Sequence, residues 1–305
     1  MHQTNQKPIP IPLRQVLSAN ELAQGQSFND VIALGSYWSR TDDVDLQSQL
    51  VKCFKNPESF SVDKLCLEAI TKAYSGMIVQ ASQAWQPNAI IRVLSSGETK
   101  PDPAKPHSAL ASLISSAFNV PDLTSIFFKT ETRKPMRMID QLSGNEVLRH
   151  RINYVLQDLF LVPRQINGTV LLIDDIYNLG ATARVYAAVL KRLCGVDKVY
   201  SINIAAARFS GGKDGWGKLV LDLDRFLNIA RCYIQQHGGG DSFDDAWIVR
   251  NQAEYHLKQD CLRLDGKGHR SLVFLARRER VPCPSCISSE PKRTLRNWLL
   301  NRFSS

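Results

Sequence analysis

The residues of this chain best placed to do chemistry are two adjacent carboxylates, Asp174 and Asp175, and the small-residue turn that follows them. They lie in Val170-Leu-Leu-Ile-Asp-Asp-Ile-Tyr-Asn-Leu-Gly-Ala-Thr182. Val170 to Ile173 is a continuous apolar run, the pattern of a strand buried on both faces. Two carboxylates at its end are costly inside a core unless they meet a partner. The turn Asn178-Leu179-Gly180-Ala181-Thr182 then leads into a helical pattern with Val185, Val189, Leu190 and Leu193. Strand, acidic pair, turn and helix together describe an anion site at a helix N-terminus, where backbone N–H groups and the helix dipole favour negative charge. A lone phosphate needs no carboxylates beside it. A sugar phosphate does, because carboxylates accept hydrogen bonds from vicinal hydroxyls while the turn holds the phosphate. The plainer alternative is an ordinary buried strand with Asp175 capping the helix. Gly180 and Thr182 at these offsets from two carboxylates favour the ligand site.

The elements that must position this stretch alternate between strand and helix. Strand patterns cover Asp30–Trp38, Ala89–Leu94, Ser125–Phe128 and Val199–Ala207. Helical patterns cover Asp43–Phe54, a long segment opened by Ser61, then Ser108–Val120 with Ser108 as cap, and Leu142–Leu156 with Arg149, His150 and Arg151 on its exposed face. Such alternation predicts an α/β fold, a parallel sheet flanked by helices with its ligand at the carboxyl edge. Three groups lie just after strands and are expected at that edge. They are the Asp174–Asp175 pair, the hydroxyl-rich turn Ser95-Ser96-Gly97, and a cationic cluster of Lys129, Arg133, Lys134 and Arg137. The loop Thr99–His107 adds Lys100, Lys105 and His107, either as a basic cover for an anion or as a solvated surface loop.

The segment Ile173–Thr182 resembles the phosphoribosyl pyrophosphate (PRPP) signature of type I phosphoribosyltransferases, and its Val-Leu-Leu-Ile-Asp-Asp-Ile-Tyr wording is similar to the competence-protein ComF branch. The likeness extends over residues 31–209. It includes the entry segment Tyr37-Trp … Leu50-Val-Lys-Cys-Phe-Lys55, a strand followed by a helix carrying Phe and Lys, and the pair Asn153 … Phe160. The resemblance implies a type I phosphoribosyltransferase-like sheet with a C-terminal extension. It implies that Asp174 and Asp175, as the catalytic pair, bind the ribose 2′ and 3′ hydroxyls. Residues 178–182 then wrap the 5′-phosphate, Ser95, Ser96 and Gly97 face the pyrophosphate, Lys129 adds positive charge, and Mg²⁺ accompanies PRPP. The family usually carries Thr-Thr-Gly-x-Thr in the loop, where this chain has Asn178-Leu179-Gly180-Ala181-Thr182, and the Gly-Phe-Asn-Gln motif of ComF-like proteins is missing. Two functions follow as expectations. One is transfer of a phosphoribosyl group to an unknown acceptor with release of pyrophosphate. The other is non-catalytic sensing of PRPP or another ribose 5-phosphate by a DNA-associated protein.

Beyond the core, Gly212-Lys-Asp-Gly-Trp-Gly217-Lys218-Leu219 nearly spells a phosphate-binding P-loop, but Leu219 has no hydroxyl for Mg²⁺, and a glycine-rich connector is the better reading. Strand patterns return at Ala246–Val249 and Leu272–Ala276. Cys283-Pro-Ser-Cys286 is half of a Zn²⁺ motif, which His256, Cys261 or His269 would complete; free thiols and redox use are the other readings. The final helical pattern, Lys292–Phe303, carries four cations and either docks by its apolar face or contacts nucleic acid phosphates.

The net charge of +9 over 305 residues suits an anionic partner. Seven cysteines, scattered and odd in number, argue against a disulfide framework. With no apolar run long enough for a membrane helix and no apolar leader at Met1–Pro8, the expectation is a cytoplasmic protein with no membrane contact. The expected divisions are an N-terminal arm (1–30), the phosphoribosyltransferase-like domain (31–212) and a C-terminal extension (213–305).

Overall fold

The structure is a computed structural model that describes residues 9–25, 27–38, 45–134, 145–208, 218–249, 252–264, 268–278 and 280–287. Arg137, the P-loop-like connector at 212–217 and the final helical pattern at 292–303 lie outside the described residues. In chain order, the first elements are β1 (Ile11–Pro12), α1 (Ala19–Gln24), β2 (Asp30–Trp38), α2 (Leu46–Lys55), α3 (Lys64–Ser82), β3 (Ala89–Arg92) and α4 (Pro106–Phe118). They are followed by β4 (Phe127–Lys129), α5 (Asn145–Asp158), β5 (Leu159–Leu161), β6 (Thr169–Tyr177), α6 (Ala181–Leu193), β7 (Lys198–Arg208), β8 (Lys218–Leu219) and α7 (Leu223–Gln236). The last are β9 (Asp245–Ile248), β10 (Glu254–His256), β11 (His269–Leu272), α8 (Val273–Ala276), β12 (Val281–Pro282) and α9 (Pro284–Ile287).

The central sheet has the order β3-β6-β7-β2-β8, and every neighbouring pair is parallel. Its pleat sorts the core in two. Ile91, Val170, Leu172 and Val199 face a layer built with α1, α5 and α6. Ile90, Leu171, Ile173 and Ile202 face the layer built with α2, α3, α4 and α7. Helices on both faces explain why β6 reads as an unbroken apolar run rather than an alternating one. An α/β fold with a helix-flanked parallel sheet is therefore present. Because β8 pairs with β2 and α7 packs in the same core, the sheet runs past residue 212.

Several local expectations change. The segment ending at Lys129 is not a strand of the parallel sheet: β4 pairs antiparallel with β5, and β5 with β1, in a separate three-stranded sheet. A short apolar run does not reveal its partner, so the two sheets are indistinguishable in sequence. The long helix begins after Asp63, whose carboxylate accepts from the Cys66 amide (2.8 Å), while Ser61 lies outside it. Ser108 caps nothing. Pro106 opens α4, and the Ser108 hydroxyl donates instead to the Asp102 carbonyl (2.6 Å). The apolar run 272–276 is not one strand, because Val273 turns it into the helical turn α8.

A third sheet, β11-β9-β10-β12, carries the C-terminal segment. Its own apolar cluster is small: Ala246, Ile248, Tyr255, Val273 and Ala276, with Leu257 against them.

Candidate functional site

β6 extends beyond its apolar run. It continues through both carboxylates to Tyr177, with Asp174 opposite Asn203 and Ile176 opposite Ala205 of β7. The chain then turns at Gly180, the N-cap of α6, which offers no side-chain cap. Asp175 is thus inside a strand and caps no helix. The backbone N–H groups of Ala181, Thr182 and Ala183 have no intrahelical acceptor in such a first turn, and the residues that bear them line a cleft of about 430 Å³ at the carboxyl edge of the sheet. Gly180 is required twice. Its φ is +71°, and a Cβ there would lie 2.5 Å from Tyr177 Oη and 2.8 Å from Cζ.

The same cleft is lined by Asp174, Asp175, Ser95, Ser96, Asn178, Leu179, Gly180, Ala181 and Thr182, which the fold brings together from two strand ends and one turn. The Asn178 side-chain oxygen is buried there with no hydrogen-bond partner among the described residues, an atom of the kind that a bound donor satisfies. Two members of the expected set do not line the cleft. Gly97 is exposed, does not line the cleft, has ordinary φ and would meet nothing with an added Cβ. Lys129 is buried beneath the serine turn, where its ammonium donates to the carbonyls of Ser95 (2.6 Å) and Ser96 (3.2 Å). Burial first, then the neighbouring Arg133, lowers the Lys129 pKa to about 8. It holds the serine turn from beneath.

That turn is also fixed by a buried ion pair. Arg92 at the end of β3 donates to both Glu98 oxygens (3.0 and 2.6 Å), and the Glu98 carboxylate accepts from the Ser95 amide (2.8 Å) and the Asp102 amide (3.1 Å). Burial alone would raise the Glu98 pKa; these hydrogen bonds bring it down to about 2.

Sequence reasoning did not place Lys55 in the site, and it left His107 in a loop read either as a basic cover for an anion or as solvated surface. Lys55, the last residue of α2, places Nζ 2.5 Å from Asp175 Oδ2, and His107 Nε2 lies 3.9 Å from the same oxygen. The Asp175 carboxylate, which burial would raise, is held below the usual range chiefly by Lys55 and His107. Burial and the adjacent Asp175 charge push Asp174 the other way, well above the usual carboxylate range. Asp174 accepts from the Asp175 amide (2.8 Å) and makes no ion pair among the described residues. His107 is kept neutral, its pKa lowered to about 4 by burial against the pull of Asp175. Arg151, expected on an exposed helix face, is buried and lines the cleft with Arg133 and Lys134, as does Tyr37 at the end of β2. Lys100 and Lys105 are exposed and do not line it. Four cations (Lys55, Arg133, Lys134, Arg151) line the cleft against two carboxylates, Arg133 also pairing with Asp158 behind it (3.6 Å), and this balance suits an anion that also carries hydroxyl groups.

The C-terminal segment holds a second constellation. His256, Cys261, Cys283 and Cys286 bring their ligand atoms within 4.8 Å of one another, a His/Cys₃ set that could hold a metal such as Zn²⁺. His269 is exposed on β11 and does not belong to the set.

The class defined by fold and cleft is an α/β protein with a parallel sheet and an anion-suited site at its carboxyl edge. No protein-family model matches the chain, and neither a curated protein nor a solved structure does. Among the described residues, no helix is long and apolar enough to cross a membrane.

Proposed function

We propose that this chain is a type I phosphoribosyltransferase-like protein of the ComF kind, binding PRPP or a related ribose 5-phosphate in the cleft at the end of β6. The observation that carries the proposal is the meeting, in one cleft, of the Asp174–Asp175 pair with the uncapped N-terminus of α6 behind Gly180. Backbone N–H groups of 181–183 and the Thr182 hydroxyl take the 5′-phosphate. Asp174 and Asp175 accept from the ribose hydroxyls. Ser95, Ser96 and the cations Arg133, Lys134 and Arg151 face the pyrophosphate.

In the reaction, an acceptor nucleophile forms a bond to ribose C1 as the C1–O bond to pyrophosphate breaks. Pyrophosphate leaves with that electron pair, and the acceptor's proton passes to solvent. Preorganised charge at the leaving group is the principal source of acceleration in such a site. Mg²⁺ typically binds through one or two carboxylates together with substrate phosphates. Asp174, the carboxylate not paired with a lysine, and the serine hydroxyls fit that donor set; the ion would neutralise the pyrophosphate.

A second reading, a non-catalytic sensor on the same site, is favoured by Leu179, which offers an apolar side chain where the family has a hydroxyl, and by the occupation of Asp175 by Lys55. Thermal unfolding with PRPP and Mg²⁺ tests the common premise. A rise in Tm is expected for the wild type and none for Asp174→Asn/Asp175→Asn; no rise in the wild type would sink both readings. Given binding, pyrophosphate release with a panel of nucleobases and amines separates transferase from sensor.

A further inference from the structure

Four side chains from three segments of the C-terminal sheet converge where β10 and β12 end. These two strands are parallel, with Glu254 opposite Val281 and Tyr255 opposite Pro282. His256 and Cys283 each follow the last paired residue, so they emerge side by side, and the Cys283 amide donates to the Tyr255 carbonyl (2.8 Å). The Cys283-Pro-Ser-Cys286 turn closes with a Cys286 amide bond to the Cys283 carbonyl (3.0 Å), and the two sulfurs lie within 4.8 Å of each other. Cys261 arrives from the loop after β10. His256 Nδ1 lies 3.3 Å from Cys261 Sγ and 4.0 Å from Cys286 Sγ.

These spacings fit one particular polyhedron. With Zn–S near 2.3 Å and Zn–N near 2.0–2.1 Å, a tetrahedral site has N···S edges of about 3.6 Å and S···S edges of about 3.8 Å. The two N···S separations bracket the N···S edge, and all four ligand atoms lie within 4.8 Å of one another. His256, Cys283 and Cys286 are all buried, and Cys261 is partly so. Backbone amides of Leu257 and Lys258 face the Cys286 sulfur, and that of Arg263 faces the Cys261 sulfur, as outer-shell donors do at thiolate sites.

We infer that His256, Cys261, Cys283 and Cys286 form a structural Zn²⁺ site that fastens the C-terminal sheet. Four protein ligands leave no open position for a substrate, so the ion is not a catalytic one. The need for it is visible in the packing: Leu272 and Leu275 anchor the β11–α8 side in the larger core, but the cluster that includes Tyr255 of β10 has only five buried apolar residues, a thin support of the kind a metal staple reinforces. The metal would tie β10 and the loop that follows it to the β12–α9 turn, which comes later in the chain.

The test uses the full chain expressed with ample zinc and freed of loosely bound metal. Elemental analysis should find about one zinc per chain, released stoichiometrically when a mercurial modifies the thiols. Cys283→Ser/Cys286→Ser should carry less than about a tenth of that, whereas Cys232→Ser, which removes an exposed thiol on α7, should carry all of it. Should the double variant fail to fold, Co²⁺-exchanged wild type keeps the question open to refutation. Tetrahedral thiolate coordination gives intense visible bands and sulfur-to-cobalt charge transfer in the near ultraviolet. Metal-free wild type that also refuses Co²⁺, a weak octahedral spectrum, or zinc retained by the double variant would each overturn the assignment. A disulfide within the cluster in the isolated protein would overturn it equally.

Discussion

Lys55 and Asp175 join the end of α2 to the end of β6 across the cleft, with Nζ 2.5 Å from Oδ2. The lysine is 39% exposed and the carboxylate 15%, so the contact sits at the cleft wall rather than in the core. It keeps one carboxylate of the pair ionised while its neighbour Asp174 is pushed toward the neutral acid. One member then accepts two hydrogen bonds, and the other holds a proton or a cation.

Lys55→Met should therefore weaken PRPP binding about tenfold, since both carboxylates then compete for one proton. Stability should fall by roughly 1 kcal/mol or less, as for other partly solvated pairs. Calorimetric titration with PRPP and Mg²⁺ reads the first, urea unfolding the second. Binding that is unchanged or tighter would show that Lys55 obstructs the ribose rather than preparing its site.

His107 should make the protein acid-sensitive in a defined window. Its imidazole is neutral when folded down to about pH 4, against an ordinary value of 6.5. Between these limits the unfolded chain binds a proton that the folded chain does not, so this contribution is full above 6.5 and lost as the pH falls toward 4. At 1.36 kcal/mol per unit it amounts to about 3 kcal/mol at most. Asp174, with its raised pKa, acts in the opposite sense above the carboxylate range. His107→Gln isolates the histidine: the wild-type loss between pH 6.5 and 4 should shrink in this variant, as measured by denaturant unfolding across pH.

Glu98→Gln should be among the most damaging single changes. Arg92 and Glu98 are each 2% exposed in their side chains, and the substitution leaves the guanidinium buried without its counter-charge. A loss of about 3–5 kcal/mol is expected, together with weakened ligand binding, because the Ser95–Ser96 turn hangs on the same carboxylate. In the wild type, the depressed Glu98 pKa adds stability above about 4.5 that disappears as the pH falls toward 2. Chemical denaturation of wild type and variant at pH 7 and pH 3 should show the difference narrowing in acid.

Two glycines of the expected site should behave oppositely. Gly180→Ala forces a left-handed φ on a residue whose Cβ strikes the Tyr177 ring; a cost above about 1 kcal/mol and lost phosphate binding should follow. Adding Tyr177→Phe should not rescue it, since ring contacts at 2.8 and 2.9 Å remain after the hydroxyl is gone. Gly97→Ala meets open space and should stay within about 0.5 kcal/mol of wild type with binding intact. Thermal unfolding with and without PRPP checks both.

Much of this architecture was legible beforehand. β2 spans Asp30–Trp38 as its pattern predicts, and α4 and α5 fall within a few residues of their apolar periods. The acidic pair and the turn at Gly180 are contiguous in the chain, so their spacing alone placed them together. Lys129 was visible as a cation after a strand, yet the strand belongs to another sheet and its ammonium is spent on two carbonyls. Lys55, His107 and Arg151 carried only weak signals, because a lysine near a helix end or an arginine among charged neighbours is ordinary surface until something packs against it. Cys283 and Cys286 advertised half a metal site. His256 and Cys261 could be named as candidates but not chosen over His269, since the choice depends on which strand lies beside β12.

By itself, the sequence determined what is local: the buried run of β6, two carboxylates at its end, a glycine that the turn needs, and apolar periods that call for helices on both faces. These follow from side-chain transfer energies and backbone sterics over a few residues. Only the tertiary structure decided which charges answer one another: Lys55 with Asp175, Arg92 with Glu98, and His256 with three thiols. Those pairings join residues far apart in the chain, and electrostatic coupling depends on distance and burial, which no spacing along the chain prescribes.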